Sequence, residues 1–129
     1  MSRASFFDLV INLRYNQHMY YKTRDRGYAR RASDIVIKVY DELNAGQAWL
    51  ASNQDLANQQ GSRFSFFLLV GKMCRTQRQY YDTHDRQFLL SSIELEKRVD
   101  AEIPKEYAQL NLADEKYIRY LQELTTPNS

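Results

Sequence analysis

Apolar residues recur along the chain at helical spacing, in stripes that are separated by short polar segments. The first stripe contains Phe6, Val10, Leu13, Gln17 and Tyr20. A second stripe follows after a polar stretch and contains Tyr28, Ala32, Ile35, Val39 and Leu43. Residues three and four apart lie on one face of an α-helix, so the pattern predicts two amphipathic helices joined by a turn.

The same pattern returns 60 residues later. Residues 5–43 align with residues 65–103 without a gap, and 13 of the 39 aligned pairs are identical, where chance gives about two or three. The second copy repeats both stripes with Phe66, Val70, Met73, Gln77 and Tyr80, and then with Phe88, Ser92, Leu95, Val99 and Ile103. The sequence therefore predicts a duplicated helical hairpin.

A hairpin of about 40 residues cannot bury two apolar faces by itself. We expect an all-α fold of one domain, residues 1–129, in which two tandem hairpins (5–43 and 65–103) form a pseudo-twofold four-helix bundle. The connector, residues 44–64, is expected to hold a short helix, and a C-terminal helix is expected over 104–125. Gly46 is predicted to end the second helix of the first copy as a left-handed cap, and Pro104 to stop its counterpart.

Composition excludes several classes of protein. The 129 residues carry a net charge of +2 and one cysteine, so a disulfide framework and a cysteine-based zinc site are excluded and a reducing, cytoplasmic compartment is indicated. No apolar run reaches the ~18 residues of a membrane span. The N-terminus lacks the pattern of a signal peptide.

Known enzyme templates do not fit. Neither His18 nor His84 belongs to a Glu-x-x-His pair, so a carboxylate-bridged di-iron bundle is not supported. Glycine-rich phosphate loops are absent, and Cys74 falls on an apolar helix, which is typical of an inert thiol. We expect no catalytic residues, no metal and no cofactor.

The motif Tyr-Tyr-x-Thr-x-Asp-Arg stands between the two helices of both copies. Structurally, it supplies helix caps at Thr23, Asp25, Thr83 and Asp85. Functionally, it offers ligand or partner candidates at Tyr20, Tyr21, Arg24, Arg26, Tyr80, Tyr81, His84 and Arg86. If both turns lie at one end of the bundle, these side chains could hold a phosphate or nucleic-acid backbone; if the connector spans the bundle, no composite site forms.

The two copies also differ in surface character. Leu68, Leu89 and Leu90 stand where the first copy has Asp8, Ala29 and Arg30. Either the connector and the C-terminal helix cover this additional apolar surface within the chain, or it serves self-association or a partner.

The run from Phe66 to Ile103 resembles short uncharacterised helical-hairpin proteins of Bacteroides-group bacteria and their phages. The residues that carry the resemblance are Gln77, Tyr80, Tyr81, Thr83, Asp85, Arg86, Leu95, Glu96, Val99 and Asp100. The resemblance implies a phage or mobile-element source and no known activity. It also implies that a hairpin which usually occurs singly, and would then oligomerise, is here duplicated within one chain.

Together these observations predict a non-enzymatic helical bundle that acts by binding another protein or by assembling with itself, for example as a phage accessory or anti-defence protein. The alternative is a bundle that binds a nucleotide or nucleic acid at the tyrosine- and arginine-rich turns. No contact with a membrane is expected.

Overall fold

The computed structural model describes residues 2–53, 61–110 and 115–125, and all secondary structure within them is helical. The predicted all-α fold with two tandem helical hairpins is confirmed. The elements are α1 (Arg3–Thr23), α2 (Arg26–Ser52), α3 (Gly61–Thr83), α4 (Arg86–Leu110) and α5 (Glu115–Thr125). Among the described residues, no helix is both long and apolar enough to cross a membrane.

The core is built from the predicted stripes. In the first copy the buried members are Phe6, Val10, Leu13, Ala32, Val39 and Leu43; in the second they are Phe66, Val70, Met73, Ser92, Leu95, Val99 and Ile103. The buried face of α1 is wider than one stripe, because Phe7 and Ile11 are also fully buried.

The chain divides into two compact units, and the division cuts through both long helices. Unit 1 comprises Met1–Val39 and Asp100–Ser129, and unit 2 comprises Tyr40–Val99. Unit 1 therefore contains α1, the first turn, the first half of α2, the second half of α4, and α5. Unit 2 contains the second half of α2, then α3, the second turn and the first half of α4. This arrangement explains the wide buried face of α1, which also contacts α4 and α5 within unit 1.

Gly46 does not end α2, and the predicted left-handed cap is wrong. The helix runs on to Ser52, and no glycine among the described residues has a positive φ. Gly46 serves close packing instead: a Cβ built there would lie 2.9 and 3.0 Å from Cε1 and Cε2 of Phe67. The glycine lets the α2 backbone approach that ring within unit 2.

Pro104 does not stop the second helix of copy two either. It lies inside α4, which continues to Leu110. Proline leaves one backbone carbonyl of the preceding turn without its helical partner, but side chains on both sides of it are tied to α1. Arg14 binds Asp100 before the proline, and Arg3 binds Glu106 after it. Tertiary contacts thus override the local stop signal.

These extensions also change the predicted connector and C-terminal helix. Residues 47–52 form the end of α2, while residues 54–60 and the expected helix break at 111–114 lie outside the described part of the chain. Residues 104–110 belong to α4, so the last helix begins at Glu115. It packs against α1 inside unit 1.

Candidate functional site

The first hairpin turn, in unit 1, satisfies its own polar groups. The Thr23 hydroxyl donates to the Met19 carbonyl and accepts from the Asp25 amide. The Asp25 carboxylate accepts from the Gly27 amide at 2.9 Å and so caps α2. Arg24 between them is left-handed, with φ 60°, and its amide donates to the carbonyl of Tyr20 at 2.7 Å.

The second turn, in unit 2, repeats this geometry almost atom for atom. Thr83 donates to the Gln79 carbonyl and accepts from the Asp85 amide, and Asp85 accepts from the Gln87 amide. His84 takes the left-handed place with φ 56°. Its amide donates to the Tyr80 carbonyl at 2.7 Å. The repeated motif therefore encodes one particular turn.

The left-handed residue of each turn lies beside the tyrosine four positions earlier. The Arg24 guanidinium carbon is 5.8 Å from the centre of the Tyr20 ring, and the His84 ring is 5.9 Å from that of Tyr80. Tyr20 and Tyr80 are half-buried, and the remaining ligand candidates are exposed: Tyr21, Arg26, Tyr81 and Arg86. The two turns belong to different units, and the composite anion site stays a prediction. Asp25 and Asp85 already occupy amides at the helix N-termini, where an anion would bind.

Unit 1 contains two polar connections that the sequence analysis did not identify. Arg14, which is buried, donates from Nε and Nη2 to the two carboxylate oxygens of Asp100 at 2.8 and 3.0 Å, and from Nη1 to Gln17 at 2.6 Å. Arg3 binds Glu106 through Nε at 2.6 Å and through Nη2 at 3.1 Å. Apolar periodicity carries no sign of such contacts. The only hint was that Arg14 stands where the second copy has Cys74.

The last helix is held on α1 by a small charged group and a ring stack. Tyr15 and Tyr120 stack with their centres 4.3 Å apart. Glu123 accepts from Lys22 at 2.8 Å and lies 3.5 Å from Nε2 of His18. The hydrogen bond from Lys22, which favours the charged carboxylate, lowers the pKa of Glu123.

The second copy exposes apolar side chains at positions where the first copy has polar ones. Leu68, Leu90 and Ile93 are exposed in unit 2, and their equivalents are Asp8, Arg30 and Ser33. Trp49, also exposed, lies against Phe64 with ring centres 5.6 Å apart. The position equivalent to Trp49 in α4 is Gln109. Of the three leucines predicted to add apolar surface to hairpin two, Leu68 and Leu90 are about half exposed, at 51% and 55%, and Leu89 is half-buried.

In the part of the chain that the structure describes, no three His, Cys, Asp or Glu side chains are grouped so as to hold a metal ion. Cys74 is buried, and its carbonyl accepts a hydrogen bond from the Tyr40 hydroxyl at 2.8 Å. No family model matches the chain, and neither the curated proteins nor the solved structures gave a match.

Proposed function

We propose that this chain is a non-enzymatic helical protein that works by binding another protein or a second copy of itself, and that unit 2 carries the contact surface. One observation supports this proposal. The large apolar residues Leu68, Leu90 and Ile93 are exposed in unit 2 at positions where unit 1 has polar residues.

The duplication acts as an internal control. Both copies form the same hairpin, so a residue that the hairpin needs for folding should be apolar in both. Leu90 and Ile93 fail this test, because Arg30 and Ser33 serve equally well in the first copy. Covering the exposed part of a half-buried leucine is worth about 1 kcal/mol. A surface with several such residues therefore favours association.

In the described part of unit 2, these apolar residues, together with Trp49 and Phe64, form two patches. On α4, Leu90 and Ile93 are three residues apart and share one helix face. The other patch contains Trp49, Phe64 and Leu68: Trp49 contacts the Phe64 ring, and Leu68 follows Phe64 by one helical turn. Tryptophan is among the residues that contribute most to binding energy at protein interfaces, so we assign the second patch to the same role.

A phage accessory or anti-defence role is compatible with this proposal and depends on the resemblance of residues 66–103 alone. A hairpin that occurs singly must find a second hairpin to cover its core face. Duplication supplies that second hairpin in the same chain and leaves the exposed apolar residues of unit 2 available for a different contact.

The experiment replaces the apolar residues by those of the other copy. The variants are Leu90→Arg with Ile93→Ser, and Leu68→Asp. The comparison variant is Ile37→Lys, because Ile37 of unit 1 is 61% exposed and its equivalent is Lys97, so it meets the same criterion outside unit 2. Each is examined by native mass spectrometry and sedimentation velocity over a range of concentrations, with helical content and thermal unfolding as a check of the fold.

The expected result is a wild-type oligomer that shifts towards monomer in the unit 2 variants and not in Ile37→Lys. If the wild type is a monomer, we expect the surface to bind a different protein. Binding of one defined partner must then be lost in the unit 2 variants and retained in Ile37→Lys. Equal behaviour of all variants would contradict the proposal. The proposal would also be contradicted if the protein carried bound material with nucleic-acid absorbance, and if this material were lost at high salt and in the double variant Arg26→Ala with Arg86→Ala.

A further inference from the structure

Unit 1 contains a cavity that the proposed function does not use. It is wide open to solvent, and its volume is about 360 Å³, at the lower end of the range for small-molecule pockets. Helices α1, α2 and α5 form its walls, with the rings of Tyr15, Tyr28 and Tyr120 as the largest lining groups. Burial raises the pKa of Tyr15, and Tyr28 and Tyr120 raise it further. The rings of Tyr15 and Tyr120 stack with their centres 4.3 Å apart.

One arginine is held in position at this cavity. Asn16 is buried, its amide nitrogen donates to the Asn12 carbonyl at 2.7 Å, and its Oδ1 accepts from Nε of Arg31 at 3.1 Å. The Arg31 guanidinium lies over the ring of Tyr28, 4.7 Å from its centre. Within the described residues, Nη1 and Nη2 of Arg31 donate no hydrogen bond, so the paired donors that recognise a carboxylate are available.

The fold does not require this set of residues. In the second copy, Tyr15, Asn16 and Arg31 are replaced by Arg75, Thr76 and Ser91. Tyr28 becomes Phe88, which keeps the ring and loses the hydroxyl. The hairpin forms in both copies, so an asparagine that is buried to orient an exposed arginine serves a purpose beyond the hairpin.

The charges at the cavity restrict what it binds. Of the residues that line it, Arg31 is the cation and Asp34 the anion, three positions apart on α2. A phosphate dianion gains from Arg31 but is repelled by Asp34. A zwitterion carries a charge opposite to each of them: a carboxylate for the guanidinium and an ammonium group for the Asp34 carboxylate. The tyrosine rings favour a ligand that contains an aromatic ring, which can pack against them, and a positive charge placed near their faces.

We infer that this cavity of unit 1 binds a small aromatic zwitterion of the amino-acid type. Arg31 takes the carboxylate, Asp34 takes the ammonium group, and the ring lies among Tyr15, Tyr28 and Tyr120.

The test uses the whole protein and four probes. L-Phenylalanine has both charges, 3-phenylpropionate lacks the ammonium group, phenethylamine lacks the carboxylate, and adenosine monophosphate tests the competing nucleotide class. Binding is followed by calorimetry and by amide NMR shifts of unit 1. We expect phenylalanine to shift the amides around Tyr15 and Arg31, and to bind about tenfold more tightly than either analogue that lacks one charge.

Two variants and a control separate binding from folding. Arg31→Met keeps the aliphatic stem and is expected to weaken phenylalanine binding by about tenfold or more. Asp34→Asn is expected to weaken binding of phenylalanine and to strengthen binding of 3-phenylpropionate, because the charge that repels a carboxylate is removed. Glu94→Gln, the same change at the equivalent position of copy two, should alter neither. The inference is overturned if no probe shifts the cavity residues, if Arg31→Met binds phenylalanine as the wild type does, or if the nucleotide binds more tightly.

Discussion

Arg14 and Asp100 form a paired, two-bond contact in unit 1, and the positions equivalent to them in unit 2 hold Cys74 and Tyr40. These two residues are also hydrogen-bonded, since the Tyr40 hydroxyl donates to the Cys74 carbonyl at 2.8 Å. In each unit, the second helix of one copy contacts the first helix of the other copy at this position. The contact is an ion pair in unit 1 and a neutral hydrogen bond in unit 2.

The ion pair is asymmetric in burial, and removal of its two members should therefore differ. The Arg14 side chain is 5% exposed and that of Asp100 is 22% exposed. Asp100→Asn leaves a buried cation without its counter-charge and is expected to lower the free energy of unfolding by about 3 kcal/mol. Arg14→Met keeps the apolar stem and leaves a carboxylate that water reaches, so we expect a loss of about 1 kcal/mol. Urea unfolding measures both.

Asp41→Asn is the matched control for this pair, because Asp41 is exposed on the same helix as Tyr40. It should change stability by less than about 0.5 kcal/mol. A larger loss from Arg14→Met than from Asp100→Asn would mean that burial of the cation does not control the energy of this contact.

Tyr40 should make the protein sensitive to alkali. Burial raises the pKa of its hydroxyl, although Arg78 and Arg75 lower it in part. In the unfolded chain the phenol ionises near its ordinary pKa of about 10. The unfolded state therefore loses its proton first, and stability falls as the pH rises from that value through the raised pKa of the folded state.

Tyr40→Phe removes this effect. At neutral pH the variant should lose about 1 kcal/mol for the missing hydrogen bond, while its stability should decline less between neutral and alkaline pH than that of the wild type. Unfolding curves at several pH values, with tyrosinate absorbance, measure the difference. Tyr81→Phe, at an exposed position of the same unit, should follow the wild type; an identical alkaline decline in Tyr40→Phe would show that Tyr40 is not responsible.

Gly46→Ala should destabilise the protein although alanine is the better helix former by about 1 kcal/mol. The new methyl group would overlap the Phe67 ring, whose Cε1 and Cε2 lie 2.9 and 3.0 Å from its position. Overpacking of this kind costs about 1–3 kcal/mol. Gly71→Ala is the comparison, since its nearest neighbours are side-chain ends of Arg75 and Leu43 at 3.3 Å, which can move more easily. Thermal unfolding should place Gly46→Ala below Gly71→Ala; the reverse order would exclude close packing as the role of Gly46.

The left-handed turn residues offer a route to a more stable protein. A residue with a side chain costs about 1–2 kcal/mol in the left-handed conformation, which glycine adopts freely. Arg24→Gly and His84→Gly should each raise the unfolding free energy by about 0.5–1 kcal/mol, because the lost contacts with Tyr20 and Tyr80 offset part of the gain. Calorimetry measures the shift. Arg26→Gly, in the first turn of α2, should destabilise instead, and a loss in all three would show that the side chains of Arg24 and His84 stabilise the turns.

The sequence was sufficient to predict the two helical hairpins and their turns, because these depend on local spacing. It failed at Gly46 and Pro104, where contacts from Phe67, and from Arg3 and Arg14 on α1, outweigh the local preference for a helix end. The helices are consequently longer than predicted. Local rules describe what a segment prefers, and here packing within each unit decides where a helix ends.

The candidate sites were predicted only in part. The motif residues form the expected turns, but their pairing across the duplication stays a prediction. Asn16 and Arg31 were missed, since a buried asparagine and an arginine on an exposed face have no periodic signal. Comparison of the two copies could have found some of them. Both copies form the same hairpin, so positions such as Tyr15 and Arg31, whose residue type differs between the copies, point to roles other than folding.

The division of the long helices has a consequence for the order of events during synthesis. Unit 2 is one continuous stretch, Tyr40–Val99, whereas unit 1 needs both Met1–Val39 and the segment from Asp100 onward. A ribosome releases the chain from its N-terminus, so the piece made first is completed last. Until the segment from Asp100 onward is made, Phe7 lacks the Tyr107 ring, whose centre lies 6.3 Å from its own. Unit 1 is then incomplete at a stage when all residues of unit 2 are already present.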